Sequence, residues 1–224
     1  MSTPPTSPVA ICNLALSRLG QRAISSLTAP VNPAGDNCAL WYDETRQELL
    51  RAYIFPFSVK QAQLTPDASV TPVFGWTNAY KLPADYLRFM RASDGNEYSG
   101  MVPTWYYSLV GNHIYCDEFN TQQNPVAGGA PISGLNIWYV GDVTTVPSWD
   151  SLFKKCMRLQ LAMNMAYAFT LKQSLRKEIE SELEDALLEA AAIAGQEKPP
   201  VRVQRSRLVE VRRRGGVFRN YSRY

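Results

Sequence analysis

Histidine is the scarcest residue of this 224-residue chain, which has one, His113. That excludes multi-histidine metal sites and makes any Ser-His-Asp arrangement depend on one imidazole. His113 follows Asn112 in a hairpin-like stretch, where a strand residue beside a turn is the plainer reading. The four cysteines, Cys12, Cys38, Cys116 and Cys156, show none of the short spacings of zinc or redox motifs. Three lie in apolar helical patterns and read as small buried hydrophobes, so we expect no metal and no disulfide. Thiols of that kind suit synthesis in a reducing cytoplasm. The chain lacks G-x-S-x-G, H-E-x-x-H and a glycine-rich phosphate loop. The acids Asp117-Glu118 and Glu184-Asp185 read as solvated pairs rather than a glycosidase dyad, whose geometry sequence does not show. We expect no catalytic residue, no cofactor and no enzyme. No uncharged apolar run approaches the roughly 18 residues of a membrane span, so no membrane association is expected. Residues 1–6 are polar and proline-rich, and no secretory signal is expected there.

What the chain does have is an ordinary globular composition, with 46% hydrophobic, 11% aromatic and 19% charged residues. That suffices for one or two domains with a substantial core. The net charge of +3 hides an asymmetry. Residues 198–224 carry nine Lys or Arg and one acid, Glu210, a net +8; the other 197 residues carry 14 bases and 19 acids, a net −5. An acidic body with a basic arm points to a negatively charged partner, either nucleic acid or an acidic protein surface.

Along the chain, Ser7-Pro8 is a helix start, and Gly20 a stop. The intervening helix has one charge, Arg18, and must be covered on most sides by its own chain or a neighbour's. Residues 21–35 read as a loop and Asp36 as the cap of a second helix that Pro56 ends. Its apolar face holds Cys38, Trp41, Tyr42, Thr45, Leu49 and Tyr53; its polar face holds Asp43, Glu44, Arg46, Gln47 and Glu48. From 57 to 147, β-branched and aromatic runs alternate with turn signals. Strands are expected at 58–64, 79–82, 87–92, 104–110, 113–117 and 135–140, with a tight hairpin at Gly111-Asn112. Trp76, Trp105, Tyr106 and Tyr107 are core candidates. Residues 120–134 read as a long loop without charge. A core helix, apolar nearly all round, starts near Ser148. After a break at 170–174 a fourth helix runs to Ala194, with the stripe Leu175, Ile179, Leu183, Leu187, Ala190 and Ala194, and Gly195 as its stop. The expected fold is α+β: a bundle of about four helices (7–56 and 148–195), an inserted all-β domain (57–147) and an extended arm (196–224).

In the arm, Arg202, Arg205, Arg207, Arg212, Arg213, Arg214, Arg219 and Arg223 stand among Val201, Val203, Leu208, Phe218, Tyr221 and Tyr224. Such residues suit either a nucleic-acid backbone with stacked bases or an anchor on a protein surface. The apolar spacing argues against a mere solubility tail, and we expect the arm to order on a partner.

The blocks VAICNLALSRLGQRAISSL, YDETRQELLRAYIFPFSVKQAQL, YKLPADYLRFMRA and YVGDVTTVPSWDSLFKKCMRLQLAMNMAYAFT occur in that order, followed by an acidic helix ending in alanines. This series, over roughly residues 8–195, resembles the head-to-tail adaptor family of tailed phages, which includes tail tubular protein A. The Tyr42–Arg46–Leu50 and Tyr80–Pro83–Asp85–Leu87–Arg88 blocks carry most of the likeness; loop 120–134 and the arm lie outside it. The resemblance implies a structural protein of the virion's head–tail junction, made in the host cytoplasm. It implies a ring, usually of twelve copies, beneath the portal protein. That ring joins a tail nozzle or other tail protein and passes genomic DNA without sequence-specific binding.

An anionic body suits such a conduit, because negative walls keep DNA from sticking. The acidic helix, with Glu178, Glu182, Asp185 and Glu189, is expected to face the channel or the next subunit. The arm is expected to leave the lumen and dock on portal carboxylates, some arms running instead along a neighbouring copy. The β domain is expected outside the ring. The alternative is a basic-armed nucleic-acid-binding protein; a third class, a cell-wall hydrolase accessory, would rest on Glu118 or Glu184.

Overall fold

A computed structural model describes residues 5–28, 32–72, 75–93, 107–116, 134–170 and 173–197. Across these the chain is an α+β protein with four α-helices and two three-stranded antiparallel sheets. The strands lie between the second and third helices in sequence. Residues 198–224 of the arm, loop 120–133 and strand residues 104–106 and 117 lie outside the described residues; Gln196, read above as the first residue of the arm, instead ends the fourth helix.

Helix α1 (Pro8–Arg18) starts as its sequence dictates: the Ser7 hydroxyl accepts the Ala10 N–H at 3.2 Å and Pro8 opens the first turn. At its end the Gln21 N–H reaches the Leu16 carbonyl at 3.0 Å, the wide bond of a Schellman turn. Helix α2 (Pro33–Ala52) starts earlier than expected. Asn32, not Asp36, is its cap, with Oδ1 accepting the Gly35 N–H at 2.8 Å. Pro33 and Gly35, read above as loop residues, form the first turn; proline is favoured there because its missing N–H is not needed. Asp36 instead places its charge at the positive end of the helix. The helix ends at Ala52, and Pro56 opens a 3-10 turn (Pro56–Ser58) instead of closing it.

Helix α3 (Ser151–Thr170) begins after a 3-10 turn at Val146–Ser148, three residues later than expected. The Asp150 carboxylate accepts the Ser151 N–H at 2.7 Å. Phe153, Cys156, Met157, Leu161, Ala162 and Met165 are fully buried, but Tyr167 is 73% exposed, so α3 is not apolar-buried all round. Helix α4 (Gln173–Gln196) runs through Gly195, which does not stop it. Its buried line is Ile179, Leu183, Ala186, Ala190 and Ala194, a helical stripe resting on α3.

Strand β1 (Val59–Leu64) pairs with β6 (Leu135–Gly141), which pairs with β3 (Tyr86–Ser93) on its other edge. The second sheet sets β5 (His113–Cys116) between β2 (Asn78–Lys81) and β4 (Tyr107–Val110). The β4–β5 turn is Gly111-Asn112, as its dipeptide implies; Gly111 sits at φ +59°, a conformation costly for residues with a Cβ.

Two apolar cores result. One joins the helices with Phe55 and Val140; the other, inside the strands, holds Leu64, Tyr80, Leu82, Ile114, Cys116, Leu135, Ile137 and Tyr139. Alternation along β6 sends Leu135, Ile137 and Tyr139 to the strand core and Val140 to the helical one. Of the aromatic core candidates, Trp76 is only half-buried and Tyr107 is 45% exposed. Tyr80 and Tyr139 fill the strand core instead.

Candidate functional site

The two sequence blocks singled out above come together in space. Arg46 of α2 is 4% exposed, although the periodicity put it on the solvated face. Its guanidinium forks onto Asp142, just past β6, with Nε–Oδ1 at 2.9 Å and Nη2–Oδ2 at 3.0 Å, and also meets Asp43. A bidentate, nearly dry pair of this kind fixes orientation as well as distance. Gln47 donates to Asp142 at 3.1 Å. Tyr42, one turn earlier, stacks on Trp149 at 6.4 Å, and Leu50 is fully buried.

One helical turn on, two arginines exchange carbonyls. Arg51 of α2 donates to the Leu87 carbonyl of β3 at 2.7 Å. Arg88 of β3 donates to the Arg51 and Ala52 carbonyls at 3.3 and 3.2 Å. Those carbonyls end α2 and carry its negative dipole, so a cation is favoured there. Asp85, from the same block, accepts from Lys60 of β1 at 2.6 Å and from the Tyr139 hydroxyl at 3.1 Å. Partial burial opposes the Asp85 charge, yet Lys60 and Tyr139 outweigh it and hold the carboxyl below its usual range. Burial, and then Asp85, push the Tyr139 phenol up to about 12. Gly141 makes the close passage possible, since a Cβ there would lie 2.8 Å from the Lys60 side chain and 2.9 Å from Asp85. The blocks are a joint fastening the strands to the helices. Sequence reasoning missed Asp142 and Arg51 as its members, although both stand inside the quoted blocks.

The acidic residues Glu178, Glu182, Asp185 and Glu189 follow one another at four, three and four residues and share one face of α4. Two are engaged within the chain. Glu182 pairs with Arg18 of α1, and Glu189 with Lys155 of α3 at 3.1 Å. Glu178 and Asp185 are exposed. The first helix is covered by its own chain on one side, where Ile11, Cys12, Ala15 and Leu16 are fully buried and α3 and α2 pack on it.

His113 Nε2 lies 3.2 Å from Asp67 Oδ2, while Ser69 Oγ donates to Asp67 Oδ1 at 2.5 Å. The Ser69 hydroxyl and N–H, and then His113, hold the Asp67 carboxyl down to about 2. Serine and imidazole thus bind different oxygens of one carboxylate, which closes a surface turn. Glu118 lies outside the described residues, and Glu184 is exposed on α4. All four cysteines are buried and unbridged, with Cys38 Sγ 3.7 Å from Met165 Sδ. The neighbouring Cys38 thiol, and then burial, push the Cys12 thiol above its ordinary range. No His/Cys/Asp/Glu group suited to a metal occurs among the described residues, and no described helix is long and apolar enough to cross a membrane. The arm residues Arg202, Arg205, Arg207, Arg212, Arg213, Arg214, Phe218, Arg219, Tyr221, Arg223 and Tyr224 lie outside the described residues. No protein-family model matches the chain, and no curated protein does.

Proposed function

We propose that the chain is a structural head-to-tail adaptor of a tailed phage, one copy of a ring under the portal that carries the DNA channel toward the tail. The observation that carries this reading is the joint: the residues of the two family-like blocks meet in one fastening of strands to helices, so the resemblance falls on an architectural unit. Charge supports it. A ring of bodies at −5 repels passing DNA, while arms at +8 suit carboxylates on a partner. With Glu182 and Glu189 partly neutralised by Arg18 and Lys155, lumen-facing charge on α4 rests on Glu178 and Asp185.

The arm is the portal-binding element in this reading. Titrating portal rings with the full chain, with a chain ending at Pro200, and with Arg212→Gln/Arg213→Gln/Arg214→Gln tests it. Two lost charge-assisted bonds at about 1.5 kcal/mol each weaken binding roughly a hundredfold. Unchanged affinity in both variants would contradict the assignment. The competing nucleic-acid reading predicts DNA affinity through the same arm, falling by about 0.9 log units per contacted phosphate for each tenfold rise in salt.

A further inference from the structure

Between α2, α3 and α4 the helical body carries an open groove of about 240 Å³. Met163 of α3 with Leu183 and Leu187 of α4 form an apolar floor. The two rims are acidic and unequal: α2 contributes Glu48, and α4 contributes Glu180 and Glu184, all three exposed. None pairs with a cation among the described residues. Glu180 and Glu184 stand four residues apart, about 6 Å along the helix.

The strongly cationic stretch of the chain is the arm, which holds three consecutive arginines, Arg212, Arg213 and Arg214. On extended backbone the first and third project to one side, about 6.6 Å apart, and the second to the other. That pattern of two and one matches the rims in number, side and spacing. Arginine stems are apolar and can cover the floor while their heads reach the carboxylates. Length allows the contact too. Glu184 lies about 18 Å back along α4 from its end at Gln196. Arg212 is sixteen residues beyond Gln196, and a coil of that length averages about 22 Å end to end.

We propose that in the unbound chain Arg212 and Arg214 rest on Glu184 and Glu180 of the same copy, and Arg213 on Glu48. A tether whose mean span matches the distance it bridges gives a local concentration near millimolar, above that of a second copy in dilute solution. Turning back along α4 sets Arg212 level with Glu184 and puts Glu210 beside the uncharged Leu188. The contact stows the arm's cations on the body until a more acidic partner takes them. It does not depend on the head-to-tail reading, since it is made within one copy before any assembly.

A photo-crosslinking side chain, p-benzoylphenylalanine, at position 211 of the full-length chain leaves all three arginines in place and tests this in mixtures of unlabelled and heavy-isotope copies. Cross-links should join position 211 to groove residues of α2 or α4 within one copy. Their yield should fall roughly fivefold in Glu48→Gln/Glu180→Gln/Glu184→Gln, as three exposed ion pairs at about twofold each imply. Arg213→Glu alone should lower the yield, and Glu48→Arg added to Arg213→Glu should restore it. The substituted helix positions are exposed, so the variants keep their fold, and an unchanged thermal transition shows it. Links between copies, links outside the groove, no links, a yield untouched by the triple substitution, or a charge swap that restores nothing would each overturn the proposal.

Discussion

Replacing Arg46 with alanine is expected to remove about 3–5 kcal/mol of folding stability, a large share of what a domain of this size has. The loss comes mostly from what stays behind. Asp142 is only 16% exposed, and without the guanidinium its carboxylate keeps just the Gln47 amide among side chains. Lysine should rescue little, because a point charge cannot reproduce the two-bond fork. Arg46→Met combined with Asp142→Leu should recover most of the loss, since a buried pair contributes little net energy once both charges are gone. Urea unfolding monitored by tryptophan fluorescence reads this as a midpoint shift at constant slope. A loss below about 1 kcal/mol for Arg46→Ala would show that the joint does not depend on this pair.

Phe153→Ala should cost a similar amount, about 3–5 kcal/mol. Phe153 is fully buried and meets three other rings edge-on: Phe55 at 4.8 Å, Trp149 at 4.9 Å and Phe57 at 5.1 Å. Phe55 and Phe57 belong to the chain as it leaves α2 for the strands; Trp149 belongs to it as it returns. One ring therefore closes the point where both crossings meet. Phe153→Leu, which fills most of the volume, should lose about 1.5 kcal/mol or less. Equal losses for the two variants would mean that the edge-to-face contacts, not the volume, carry the site.

Both positions show what the sequence makes legible. Phe153 was readable as core from its place in an apolar helical pattern. Arg46 was not: periodicity assigns arginine to the wet face, and only the fold brings Asp142 beside it, 96 residues away. Local chemistry located the element types and most strand limits, including the Gly111-Asn112 turn. It misjudged starts and stops where one residue type has two uses. Pro33 signals a loop or a first turn, and the Asn32 side chain decides between them. Gly195 is a stop only if the backbone turns there, and the helix runs through it to Gln196. The acidic face of α4 could be read from its spacing; its pairings with Arg18 and Lys155 could not, since they depend on how α1 and α3 pack.

We propose that copies of this chain ring a DNA passage with anionic bodies while their cationic arms hold another virion component. A cryo-electron-microscopy reconstruction of the head–tail junction, with this chain located in it, tests that most directly. We expect an annulus of copies below the portal, Glu178 and Asp185 toward the lumen or the next subunit, and Arg212, Arg213 and Arg214 outside the bore on a protein surface. Terminal arginines projecting into the bore, or a solitary copy with no annular assembly, would contradict it.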